Sequence, residues 1–230
     1  MKLSIIIPAY NEEKTIEEII KRVSRVLLPV SKEIIAVDDK STDKTLEILE
    51  GLRDKYSLVI VRHSENSGKG SAIRSGLKKA SGDFVIIQDA DLEYNPEDYE
   101  KLLKPFLENN AQVVYGSRIM GGKKRGKLAF YLGGRGVTLM TNIICGINIT
   151  DEPTCYKVFK KDLLDSLDLQ SKGFEFCPEV TAKIAKRKIK IFEVPISYNP
   201  RGKSEGKKIK WRDGFVAIWT LLKCRFWYNK

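Results

Sequence analysis

The first half of the chain alternates short, β-branched apolar runs with amphipathic helical stretches, a rhythm that fits a mostly parallel sheet with crossover helices. Residues 3–7, 33–37, 58–62, 84–88 and 112–115 read as strands. Between them, apolar residues recur with helical spacing at Ile16, Ile19, Ile20 and Val23, and 45–52 and 72–80 carry shorter versions of the pattern. Asn95-Pro96-Glu97-Asp98 combines a cap residue, a first-turn proline and acids suited to the helix dipole, so a helix is expected to begin there.

The second half is less regular. A Gly- and Lys-rich stretch, 121–136, separates it from the sheet. Beyond that stretch the pattern predicts a helix over 137–145, a strand over 156–159, a helix over 179–186 opened by Pro178 and a strand over 189–194. A basic loop, 199–210, then leads into a terminal helix over 211–227. With 42% hydrophobic and 31% charged residues, the 230-residue chain has apolar material for one large core, and a single α/β domain over 1–230 is expected.

In a doubly wound sheet, ligands collect beyond the carboxyl ends of the strands. Three predicted strand ends are rich in polar residues: Pro8-Ala-Tyr-Asn-Glu12, Asp38-Asp-Lys-Ser-Thr-Asp43 and Asp89-Ala-Asp-Leu-Glu93. Any one could be an ordinary turn; three at strand ends point to a site. Asp89 and Asp91 stand two apart on an extended segment, so both carboxylates can face one way, an arrangement suited to Mg2+ or Mn2+ with substrate phosphates completing the shell. Glu93 keeps the alternation and could add a ligand directly or through water. Asn66-Ser-Gly-Lys69-Gly70 opens a helix and could hold a phosphate, although it lacks P-loop spacing.

Composition narrows the classes. Lys and Arg number 41 against 30 Asp and Glu, a formal charge of +11 that suits a phosphorylated substrate, anionic lipid or nucleic acid. No nucleic-acid-binding module is recognised, so no nucleic-acid partner is expected. The cysteines, Cys145, Cys155, Cys177 and Cys224, lack zinc-like spacing and read as buried free thiols. His63, the single histidine, has no serine or cysteine motif nearby and reads as structural, which disfavours a hydrolase. The N-terminal apolar run is too short for a signal peptide, and the uncharged-looking stretch 136–150 falls short of the ~20 residues of a spanning helix. A cytoplasmic protein without a membrane span is therefore expected.

Together, Pro8-Ala-Tyr-Asn-Glu12, Asp38-Asp-Lys-Ser-Thr-Asp43 and Asp89-Ala-Asp-Leu92 resemble the inverting GT-A glycosyltransferases, especially the dolichol-phosphate mannose synthases and their polyprenyl-phosphate relatives. Gly116-Ser-Arg118, Thr154-Cys-Tyr-Lys157 and the loop with Arg201 and Lys207 extend the likeness. The resemblance implies a GT-A-like fold with a Rossmann-like nucleotide-binding half, 1–120, and an acceptor-side half, 121–230. It implies that Pro8, Tyr10, Glu12 and Asp39 bind the nucleoside of a GDP- or UDP-sugar, with Lys69 near its phosphates. Asp89 and Asp91 would hold the metal, and Arg118, Arg201 and Lys207 would meet phosphate groups. The implied acceptor is a polyprenyl phosphate at the cytoplasmic face of a membrane.

Two departures matter. Glu93 stands where dolichol-phosphate mannose synthases often carry Gln, and the C-terminal spanning helices of many relatives are missing, so lipid access is expected to be peripheral or assisted by a membrane partner. The terminal helix, with Trp211, Phe215, Ile218, Trp219, Leu222 and Phe226 among basic residues, could lie in a bilayer interface or pack on the domain. A saccharide-hydroxyl acceptor is the nearest alternative, with Asp151, Glu175 or Glu179 as base, and a non-catalytic nucleotide-sugar-binding homologue is another.

Overall fold

The computed structural model describes residues 1–122, 128–200 and 211–227. The alternation emerges as expected through the first half: β1 (Lys2–Ala9), α1 (Ile16–Arg25), β2 (Ser31–Asp38), α2 (Thr45–Tyr56), β3 (Val59–Arg62), α3 (Lys69–Leu77) and β4 (Phe84–Ile87). A 3-10 turn, Pro96–Asp98, is capped by Asn95, whose side chain accepts from the Glu97 N–H, and leads into α4 (Tyr99–Glu108). Next come β5 (Val113–Ser117), a short α5 (Arg118–Gly121), α6 (Leu128–Cys145), β6 (Lys157–Lys160) and α7 (Lys161–Asp165). The chain continues through α8 (Phe176–Lys186), β7 (Ile191–Pro195) and α9 (Trp211–Phe226).

The sheet runs β3-β2-β1-β4-β6-β5-β7. β1 pairs in parallel with both β2 and β4, and β5 with β7, whereas β6 is antiparallel to both its neighbours. Because β6 alone runs backwards, the carboxyl ends of the other strands and the start of β6 share one edge. Apolar residues on both faces of β1, β2 and β4 are buried, among them Ile5, Ile6, Ile35, Val37, Val85 and Ile86, as a sheet covered by helices requires. α1 seats Ile16, Ile19, Ile20 and Val23 on this core, with acids in its first turn and bases in its last.

The main difference from the sequence pattern is α6. The glycines at 133, 134 and 136 disfavour a helix, yet it continues through them to 18 residues. Tertiary packing overrides the local preference: Thr138, Thr141 and Cys145 are buried, and Cys145 joins Ala182 of α8 with Leu221 and Cys224 of α9 in a small second core. At 18 residues and mean hydropathy 1.2, α6 is by length and composition able to cross a membrane, which revises the expectation of no such segment. Its packing against α8 and α9 equally fits a helix of the folded domain. All four cysteines are free thiols, and burial pushes those of Cys145 and Cys224 up to about 11.

Gln88, fully buried just after β4, anchors the strand end that carries Asp89 and Asp91. Its Oε1 accepts from the hydroxyls of Tyr99 (2.6 Å) and Tyr156 (2.7 Å), and its Nε2 donates to the Asp89 carbonyl (2.9 Å). Gln88→Leu leaves two buried hydroxyls without their acceptor and is expected to cost about 2–4 kcal/mol in urea unfolding. Adding Tyr99→Phe and Tyr156→Phe should recover part of that loss. A single Gln88→Leu variant as stable as the parent would show that this hub does not hold the strand end.

Candidate active site

The loops after β1 and β2 are laced together. The Asn11 N–H donates to Ser41 Oγ (3.0 Å), Thr42 N–H to Asn11 Oδ1 (2.8 Å) and Glu12 N–H to Thr45 Oγ1 (2.8 Å). Asn11 and Lys40 hold left-handed backbone conformations, with φ of 51° and 62°, strain that the cross-links sustain. Pro8, Tyr10 and Glu12 thereby present a fixed surface beside Asp39.

Asp39 organises the next layer. Its carboxylate accepts from the backbone N–H groups of Ser67 (2.8 Å) and Gly68 (2.7 Å) and bonds His63 Nδ1 (2.7 Å), whose Nε2 meets Ser75 Oγ (2.8 Å). His63 is thus a structural link, as the sequence pattern implied, and Asp39 pins the turn that starts α3. Gly68 has φ of 89° and lies against the backbone of Lys172, so a side chain there is strained and blocked. Lys69, in the first turn of α3, sends its ammonium to the Asp89 carboxylate.

Beyond β4, Asp91 Oδ1 accepts from the Glu93 N–H (3.0 Å). Glu93 Oε2 accepts from the Tyr198 hydroxyl (2.9 Å), and the Glu93 carbonyl from the Asn199 N–H (2.8 Å). Burial, with Glu93 alongside, pushes the Tyr198 phenol well above its usual range, keeping it a donor. Glu93 therefore ties the segment preceding 201–210 to the Asp89–Asp91 loop, a role the alternation of carboxylates did not reveal.

Arg118, just past β5, grips Asp151 in a fork: Nε to Oδ2 at 2.8 Å and Nη2 to Oδ1 at 2.7 Å, with its guanidinium 5.0 Å from the Tyr198 ring centre. Glu193 of β7 holds the same loop by accepting from the Thr150 N–H (2.8 Å), and burial raises its pKa. Arg135 of α6 donates to the Thr150 carbonyl (3.2 Å). The reversed direction of β6 is what brings 150–155 to the edge where the other strands end.

These elements enclose a cavity of about 1100 Å³. Pro8, Tyr10, Glu12, Asp39, Lys69, Asp89, Asp91, Glu93 and Arg118 all line it, as does Asp151, whereas Glu175 and Glu179, the other two candidate bases, do not. Arg201 and Lys207 lie outside the described residues. Arg135 also lines the cavity and was missed; the signal was an arginine among glycines in an otherwise uncharged stretch. One wall is formed by α6 and α9, whose outward residues include Leu132, Leu139 and Ile143, and Phe215, Trp219 and Phe226. α9 packs inward through Ala217, Leu221 and Cys224, so the exposed Phe215, Trp219 and Phe226 are not what seats it.

Among the described residues, no three His, Cys, Asp or Glu side chains converge as a metal cage. A two-carboxylate site completed by a diphosphate still fits a hard divalent cation. In this structure the Asp89 carboxylate pairs with the Lys69 ammonium.

Residues 4–168 match glycosyl transferase family 2. Over 99% of its length the chain is 33% identical to a dolichol-phosphate mannosyltransferase of Pyrococcus furiosus, spanning 64% of that relative. It is 32% identical to a UDP-N-acetylglucosamine–dolichyl-phosphate N-acetylglucosaminyltransferase of Methanococcus voltae, across 95% of this chain and 94% of the other. Among solved structures, a glucosyl-3-phosphoglycerate synthase of Mycobacterium tuberculosis, in complex with Mn2+, UDP and glucosyl-3-phosphoglycerate, superposes with a TM-score of 0.73 at 22% identity. That likeness covers 97% of this chain and 80% of the synthase, and establishes a shared GT-A-type fold. The match over most of the sheet, together with these relatives, establishes that the chain belongs to glycosyl transferase family 2.

Proposed function

We propose that the chain transfers a sugar from a GDP- or UDP-sugar to a polyprenyl phosphate at the cytoplasmic face of a membrane, with inversion at the anomeric carbon and with Mg2+ or Mn2+. The observation that carries this reading is the convergence on one cavity of Asp89, Asp91, Arg118 and Arg135, beside two helices with apolar outer faces. The relatives named for dolichyl phosphate support the acceptor, and the Mn2+ and UDP in the synthase complex support the metal and nucleotide.

On this reading, residues 1–120 take the donor: Pro8, Tyr10, Glu12 and Asp39 border the nucleoside, and Lys69 its diphosphate. Asp89 and Asp91 hold the metal, with Glu93 joining through water. When bound, the cation supplies positive charge to the departing diphosphate. Residues 121–230 shape the acceptor side, where Arg118 and Arg135, with Arg201 and Lys207, attract phosphate. An acceptor phosphate oxygen forms the new bond to the anomeric carbon as the bond to the nucleoside diphosphate breaks on the opposite face. The acceptor needs no strong base, because its second pKa is about 6.

A saccharide hydroxyl would need a base. Asp151 is held by Arg118, Glu175 accepts from the N–H groups of Lys172 (3.0 Å) and Gly173 (2.9 Å), and Glu179 from those of Gln170 (2.9 Å) and Ser171 (2.8 Å). Their existing bonds favour the phosphate acceptor over the hydroxyl alternative.

Asp91→Asn removes a metal ligand without opening the core, so transfer should fall at least ~100-fold while the melting temperature changes little. Undiminished metal-dependent turnover would contradict the site. Vesicle flotation tests the membrane role. Binding to anionic vesicles should weaken as salt rises, since charges are screened over ~8 Å at physiological ionic strength, yet leave a salt-resistant remainder. Phe215→Ser with Trp219→Ser should reduce that remainder without lowering stability, because both residues are exposed, at 68% and 60%. Equal vesicle binding by this variant would remove α9 from the membrane contact.

A further inference from the structure

Lys69 stands where its own helix does not favour it. It occupies the first turn of α3, the positively polarised end, and that turn contains no acid. Its side chain is only 19% exposed, and its ammonium lies 3.7 Å from Cys155 Sγ and 5.7 Å from the Phe174 ring centre. The compensating charge comes from Asp89, a carboxylate 20 positions away in the chain. Placement of Lys69 is built in: Asp39 holds the Gly68 N–H at 2.7 Å, and the Ser71 N–H donates to the Lys172 carbonyl at 3.1 Å, so the helix start cannot drift from the carboxylate.

Resting on the metal-site reading above, we propose that Lys69 is an internal counterion which keeps Asp89 from binding a divalent cation until a nucleoside diphosphate arrives. The diphosphate offers Lys69 a new anionic partner, the ammonium leaves Asp89 for it, and the cation takes its place. Nucleotide and metal then bind with positive coupling, and by thermodynamic reciprocity each tightens the other by the same factor. Lys69 thereby serves as a positioning residue that sets the order of loading, in addition to its place beside the donor.

The test is Mn2+ binding, measured by calorimetry or by electron paramagnetic resonance of free Mn2+, on the full chain with and without UDP or GDP. Lys69→Met and Lys69→Gln should bind Mn2+ alone about 10-fold more tightly than the parent, the order expected when a nearby unit charge is removed from a partly exposed site. Their Mn2+–nucleotide coupling should shrink, while Lys69→Arg should retain weak binding of Mn2+ alone. Comparable circular dichroism and melting temperatures establish that the variants are folded; having two neutral replacements guards against the failure of either. Unchanged or weaker Mn2+ affinity in a folded neutral variant overturns the counterion role. Asp91→Asn separates this from failure of the metal site itself: if Lys69→Met leaves Mn2+ affinity unchanged while Asp91→Asn weakens it, only the counterion role falls. If Asp91→Asn binds Mn2+ as the parent does, both fall.

Discussion

The sheet is buried on both faces where β1, β2 and β4 meet, and that burial dictates where chemistry can occur. Ile5, Ile6, Ile35, Val37, Val85 and Ile86 make the interior of these strands mainly apolar, and the carboxylates and backbone donors of the cavity collect at the strand ends. Gln88 marks the boundary. It is the first polar side chain after β4, and its bonds to Tyr99, Tyr156 and the Asp89 backbone turn an apolar strand into a rigid mount for the acidic loop.

From that edge the site is assembled by carboxylates with different tasks. Asp39 spends its hydrogen bonds on the 67–68 turn and His63, Asp151 on Arg118, and Glu93 on Tyr198. These bonds fix loops. Asp89 instead pairs directly with the Lys69 ammonium on the cavity wall. A reversed β6 completes the enclosure by delivering 150–155 opposite the nucleotide-side loops, and α6 and α9 place an apolar exterior beside a cavity lined with charge.

Much of this was legible in the sequence. β-branched runs mark the buried strands because their local pattern and tertiary environment agree, and the polar clusters after them mark the edge. The direction of β6 was not legible, since pairing is decided by partners distant in sequence. α6 was read too short because local glycine propensity loses to packing by Thr138, Thr141 and Cys145. Arg135 was hidden by the same misreading. Sequence spacing placed Glu93 beside Asp91, but the hydrogen bond to Tyr198, 105 residues away, depends on the fold.

The central claim is that one cavity joins a nucleotide-sugar to a lipid phosphate, and product analysis tests it most directly. The purified chain is incubated with GDP- and UDP-sugars, Mn2+ or Mg2+, and either polyprenyl phosphate or saccharide acceptors, and each product is identified by mass spectrometry and its anomeric configuration by NMR. The account predicts a glycosyl polyprenyl phosphate of inverted configuration, formed only with metal. Efficient glycosylation of a saccharide hydroxyl with every polyprenyl phosphate left untouched would contradict it.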